Sequence, residues 1–143
     1  MNYFLDTNIV IILYEGRYTE LKSPILRILE DSQNLFYVSS ISLLEIAQLY
    51  RKKKFKHIDY DLLDTGDKLI RAILNTIPII KVLPFKEEHA LIASTLTFVP
   101  KHNDPTDLAI IAHAIDQKVP IITCDDKFPE YQSQGAVVIH NPR

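Results

Sequence analysis

An α/β fold, one parallel sheet with helices on both faces, is predicted by three observations. Five short β-type runs are spaced along the chain, helical patterns lie between them, and most of the runs are continuously apolar rather than alternating. Continuous apolar strands are those covered on both faces, as in parallel sheets. Strands that alternate with helices then give a three-layer α/β/α domain with a central, mostly parallel sheet of about five strands.

The strands are Tyr3-Phe4-Leu5, Leu35 to Val38, Ile79 to Leu83, Ile121 to Thr123, and Ala136 to Ile139. Among the helices, Ser23-Pro24 reads as an N-cap and first helical residue, for a helix reaching about Asp31. Ser42 is expected to open a second helix through Leu43, Leu44, Ile46, Ala47, Leu49 and Tyr50. A longer segment, Tyr60 to Ile77, carries Leu62, Leu63, Leu69, Ile70, Ile73 and Leu74 at helical spacing, with Gly66 weakening its middle. Glu87 to Thr95 is another helix. The best-signalled one has Asp104 as N-cap and Pro105 as first residue, and runs to Lys118 before Pro120. There is no repeat, linker or low-complexity stretch, so residues 1–143 are expected to form one domain.

Composition narrows the function classes. The 143 residues are 47% hydrophobic and 24% charged, and their net charge is only −2, which excludes a disordered chain. Sixteen basic against eighteen acidic residues do not announce a nucleic-acid binder, so such a role needs a local patch or bound metal. Three glycines leave no glycine-rich phosphate loop. The lone Cys124 cannot form an internal disulfide, which fits a reducing cytosol. Met1 to Tyr14 is apolar but carries Asp6 and Asn8 and no basic leader, and no apolar run approaches the ~20 residues of a membrane span. A soluble, cytoplasmic protein without membrane contact is expected.

The acids fall in a pattern. In open parallel sheets, ligands bind beyond the carboxyl ends of the strands. Asp6 follows the first strand, and Asp125-Asp126 follow the strand at Ile121–Thr123. Asp107 lies in the first turn after Asp104, and Glu45 in the first turn of the helix opened by Ser42. All four positions belong to one sheet edge. Each has a plain structural reading too: Ser42-x-x-Glu45 matches a capping box, and Asp104 and Asp107 suit any helix start. Asp6 does not fit such a reading. Wedged between Leu5 and the Ile9–Leu13 run, it is expected to be partly buried, and no Lys or Arg occurs in residues 1–16 to pair with it. Burying an unpaired charge costs several kcal/mol (order of magnitude), which a bound cation offsets. Oxygen-only ligands favour Mg²⁺ or Mn²⁺ over zinc. His57, His89, His102, His113 and His140 show no metal-binding spacing; His102, two residues before Asp104, is placed to contact substrate or a metal ligand, but a surface-loop histidine is the favoured reading.

Asp6-Thr7-Asn8 after an N-terminal strand, Ser42-x-x-Glu45, His102-x-Asp104-Pro105-x-Asp107 and Thr123-x-Asp125-x-x-Phe128 together resemble the PIN-domain family. They are most similar to the small VapC-like ribonuclease toxins of type II toxin–antitoxin pairs. The resemblance spans essentially the whole chain. It implies a PIN-like fold and a Mg²⁺- or Mn²⁺-dependent endoribonuclease, with Asp6, Glu45, Asp107 and Asp125 as the metal-binding, catalytic quartet. It also implies Asp104 as a supporting acid, and Thr7, Asn8 and Thr123 as polar residues lining the same pocket. Asp126 adjoins Asp125, but the spacing to Phe128 selects Asp125. A VapB-like antitoxin partner and a homodimer are implied as well.

An acidic pocket repels RNA, so affinity must come from elsewhere. Arg51, Lys52, Lys53 and Lys54 belong to the one dense basic run and are the expected phosphate contacts; as C-terminal helix residues they would also compensate the helix dipole. Three other readings compete. A PIN module that binds RNA with little or no catalysis keeps the same fold. A HAD-type phosphatase needs a second Asp where this chain has Asn8. A phospho-receiver places its paired acids after an early strand, not a late one, and a Lys after a late strand.

Overall fold

The computed structural model describes residues 1–143. Five strands form one sheet: β1 (Asn2–Leu5), β2 (Leu35–Ser39), β3 (Ile80–Leu83), β4 (Ile121–Thr123) and β5 (Val138–His140). Their order is β3-β2-β1-β4-β5, and every pair is parallel. The sheet is thus wholly parallel. The helices are α1 (Thr7–Glu15), α2 (Ser23–Glu30), α3 (Ser40–Arg51), α4 (Gly66–Thr76), α5 (Glu87–Thr95) and α6 (Pro105–Gln117), with short 3₁₀ turns at Tyr18–Glu20 and Phe128–Gln134. No helix is long and apolar enough to cross a membrane.

Alternate strand residues feed two separate cores, which makes the three layers. Tyr3 and Leu5 of β1 and Ile122 of β4 pack with Ile9 and Ile12 of α1, Ile25 of α2, Ile46 of α3 and Leu69 and Ile73 of α4. Phe4 and Ile121, one residue out of phase, pack with Leu108, Ile110 and Ile111 of α6 and with Phe128 and Tyr131. That period of two within an apolar run is what both-face burial requires.

Several boundaries differ from the sequence reading. The apolar run after Asp6 is a helix, α1, closed by Gly16 at φ +69°. Its β-branched residues and lack of a polar face hide the helical period, because α1 is buried between the sheet and α3. The residue capping α3 is Ser39, whose hydroxyl accepts from the Ile41 N–H, so Ser42 lies inside the helix. The expected Tyr60–Ile77 helix is only α4. Asp59 instead organises a turn by accepting from the N–H groups of Asp61 and Leu62, and Gly66 is the first residue of the helix. In α2, Lys22 holds the cap position and Ser23 begins the helix. β3 starts one residue late and β5 spans Val138–His140.

The strand order fixes where a site can form. The chain moves outward from β1 through β2 to β3, then returns to place β4 on the other side of β1. The connections leaving β1 and β4 therefore diverge and open a crevice at their carboxyl ends. Asp6 and Asp125 sit at the mouth of that crevice.

Candidate metal centre

A cleft of about 220 Å³ is lined by Asp6, Thr7, Asn8, Ile11, Glu45, Leu49, Asp104, Asp107 and Asp125. Four separate chain segments deliver its five carboxylates. Asp6 caps α1, with Oδ1 accepting from the Thr7 N–H (2.8 Å) and Oδ2 accepting from Asn8 Nδ2 (3.1 Å) and Thr123 Oγ1 (2.7 Å). Asn8 reaches across to the end of β4, where its Oδ1 accepts from the Cys124 N–H (3.2 Å). Thr123 Oγ1 in turn accepts from the Asp125 N–H (2.9 Å), and Asp125 Oδ1 from the Lys127 N–H (2.8 Å). Thr7, Asn8 and Thr123 thus tie the β1 and β4 termini together around Asp6.

Glu45 enters from the second turn of α3, not the first, because Ser39 is the cap. The capping-box reading fails on the same ground. Ser42, buried, accepts a hydrogen bond from the Thr7 hydroxyl at 2.9 Å, and Glu45 lines the cleft. Asp104 caps α6 through the Thr106 N–H (2.9 Å), as the sequence indicates, and Asp107 follows in the first turn. Ligand atoms of Glu45, Asp104 and Asp107 lie within 4.8 Å of one another, and so do those of His102, Asp107 and Asp125. Asp126 does not join them: it is 83% exposed and lies 3.0 Å from His140.

No Lys or Arg pairs with any of the five acids. Asp6 is 3% exposed. Burial is the largest influence on its carboxyl; with the charges of Asp107 and Glu45 it outweighs the opposing Thr123 hydrogen bond and pushes the pKa up to about 7. Asp107 is pushed up to about 8, first by burial and then by Asp104, Asp125 and Glu45. Glu45 is raised as well, mainly by burial. Acids that crowd and desolvate one another in this way resist ionising together. A hard divalent cation reverses the effect, and an oxygen-rich donor set at this spacing suits one.

For two further residues of the site, the sequence reading favoured the surface for His102 and gave nothing for Tyr131. His102 is not a surface histidine; its side chain is 7% exposed, and Nε2 lies 2.9 Å from Asp107 Oδ2. Its Nδ1 bonds the hydroxyl of the fully buried Tyr131. The only sequence signal for His102 was its spacing from Asp107, and for Tyr131 there was none.

A sequence profile of the PIN domain matches residues 3–133. The chain belongs to the PIN domain family, a family of nucleases. Solved PIN structures share its fold. VapBC-1 from nontypeable Haemophilus influenzae matches at a TM-score of 0.67 and 22% identity over 98% of each chain. VapBC2 from Rickettsia felis, solved with a promoter DNA fragment, matches at 0.65 and 16% over 98% of each. A toxin–antitoxin complex from Klebsiella pneumoniae matches at 0.61 and 21% over 97% of each. No curated protein sequence matches the chain.

Proposed function

We propose that this PIN protein is a Mg²⁺- or Mn²⁺-dependent endoribonuclease in which Asp6, Glu45, Asp107 and Asp125 hold the metal and Asp104 supports them. The carrying observation is the convergence of five uncompensated carboxylates in one crevice. A cation held there supplies an activated water and stabilises charge on the leaving oxygen. The protein's own part is positional. Thr7, Asn8 and Thr123 fix Asp6, and the α6 cap fixes Asp104. Hydrolysis proceeds by attack of water on phosphorus with cleavage of the P–O3′ bond, leaving a 5′-phosphate and a 3′-hydroxyl.

Substrate affinity is assigned to an adjoining cleft. About 400 Å³ in volume, it shares Ile11 and Leu49 with the acidic cleft and is lined by Arg17, Lys54, Lys56, His57 and Arg143 together with Glu15 and Glu20. Of the basic run at residues 51–56, Lys54 and Lys56 line this cleft, whereas Arg51, Lys52 and Lys53 are exposed and line neither cleft. Arg17 is engaged by Glu15 and Glu20, so Lys54, Lys56 and Arg143 are the free cations beside the acids. An RNA strand spanning both clefts meets positive charge on one side and the hydrolytic centre on the other.

The toxin reading is supported by the shared fold with toxin–antitoxin structures. It includes a VapB-like antitoxin partner, a cytoplasmic setting and a homodimer. A 480 Å³ apolar groove, walled by Leu13, Tyr18, Leu26, Leu29, Ile77 and Ile79 at the amino edge of the sheet, suits a protein partner. The phosphatase reading loses ground: Asn8 bonds both Asp6 and Cys124 and has no acid to offer. The receiver reading loses ground as well, because no Lys lines the acidic cleft.

Cleavage of structured RNAs with Mg²⁺ or Mn²⁺ tests the proposal. Activity that disappears with EDTA and with Asp6→Asn is expected. Equal activity in EDTA, or release of phosphate from small esters, would contradict it.

A further inference from the structure

We infer that Tyr131 and His102 form a positioning relay that sets the Asp107 carboxylate for its cation, an inference that rests on the metal-centre reading above. The hydroxyl of Tyr131 accepts from the Val99 N–H at 3.2 Å, and its one proton has a single acceptor, His102 Nδ1. Neutral imidazole carries one N–H. With Nδ1 accepting, that N–H is at Nε2, and it donates to Asp107 Oδ2 at 2.9 Å. The chain of bonds runs one way, from the backbone at Val99 through Tyr131 and His102 to one oxygen of Asp107. The other oxygen is left for the cleft.

The relay is rigid because each member is packed. Tyr131 is fully buried among Phe4, Phe128 and Ile111. The His102 ring meets Tyr131 nearly edge-on, with centroids 5.4 Å apart, and also meets Phe98 nearly edge-on at 5.7 Å. The 3₁₀ turn that carries Tyr131 begins just after Lys127, whose N–H holds Asp125. One short segment therefore sets two acids of the cleft, Asp125 directly and Asp107 through His102. Groups that hydrogen-bond a metal ligand orient it, and their loss typically costs about 10–100-fold in metal affinity.

Calorimetric titration of the RNA-free protein with Mn²⁺ tests the relay, using His102→Leu, His102→Gln and Tyr131→Phe. His102→Leu should weaken Mn²⁺ binding about 10–100-fold. Tyr131→Phe, which keeps the buried ring, should weaken it about tenfold. His102→Gln restores an N–H donor at similar reach and should recover most of the affinity. A merely structural role would lower thermal stability in all three without this ordering. With Mg²⁺ bound, so that Asp107 is ionised, ¹⁵N NMR of the wild type should find the His102 proton on Nε2. A proton on Nδ1, or folded variants that all bind Mn²⁺ like the wild type, would overturn the relay while leaving the metal centre intact. A wild type that takes up no Mn²⁺ would overturn the metal centre and the relay with it.

Discussion

The acidic and basic clefts share two wall residues and differ in almost everything else. In the acidic cleft, Asp6, Thr7, Asn8 and Thr123 are locked by hydrogen bonds of 2.7–3.1 Å at the ends of β1 and β4. In the basic cleft, Lys54, Lys56 and His57 are exposed on the turn that follows α3, and Arg143 is exposed at the end of the chain. One is preorganised by the fold, and the other is a set of solvated cations. The contrast teaches that geometry in this molecule is invested where charge must be held against repulsion. Long-range attraction needs only proximity.

The largest effect that separates the two regions is loss of a cleft acid. Asp107→Asn should cut RNA cleavage by at least about a hundredfold, as loss of one preorganised electrostatic group does. The same change removes a buried like charge, so the metal-free melting temperature at pH 8 should rise by several degrees. A fall in both would mean that Asp107 is structural.

The next effect is on stability against pH. Asp6 and Asp107 have pKa values of about 7 and about 8 in the folded protein, against 3.8 for the free side chain. The folded state therefore keeps protons that the unfolded state releases, and stability falls as pH rises from about 4 to about 8. Mn²⁺ should raise the melting temperature far more at pH 8 than at pH 5, because at pH 5 it must displace bound protons. Thermal scans at both pH values, with and without metal, check this. A metal-free protein more stable at pH 8 than at pH 5 would refute the crowded-acid account.

Smaller effects belong to the basic cleft. Lys54→Ala with Lys56→Ala should weaken RNA binding several-fold and reduce the salt slope by about 0.7 for each lost phosphate contact. The turnover rate at saturating RNA should stay the same. Replacing Lys52 and Lys53 instead should change little, since neither lines the cleft. If the second pair mattered and the first did not, the groove would be misplaced.

The outline of the fold was legible because the strand segments carry continuous apolar runs, and α6 carries a clear start signal in Asp104-Pro105. What failed was local. The apolar run of α1 has no polar face to mark its period, and Ser42 imitates a cap three residues inside a helix that Ser39 begins. Gly66 looked like a weak point and is a helix start. Within the site, Asp6 was legible because buried charge without a partner is costly, whereas Glu45, Asp104 and Asp107 also read as capping residues and were marked only by their shared position at one sheet edge. His102 and Tyr131 were not, since a histidine in a loop and a tyrosine in a 3₁₀ turn carry no such cost until tertiary packing buries them.

The most direct test is a crystal of the RNA-free protein soaked in Mn²⁺ and measured for anomalous scattering. The account predicts a peak in the crevice among Asp6, Glu45, Asp104, Asp107 and Asp125. An empty crevice at millimolar Mn²⁺, or peaks only at outlying acids such as Glu88 and Asp116, would contradict it.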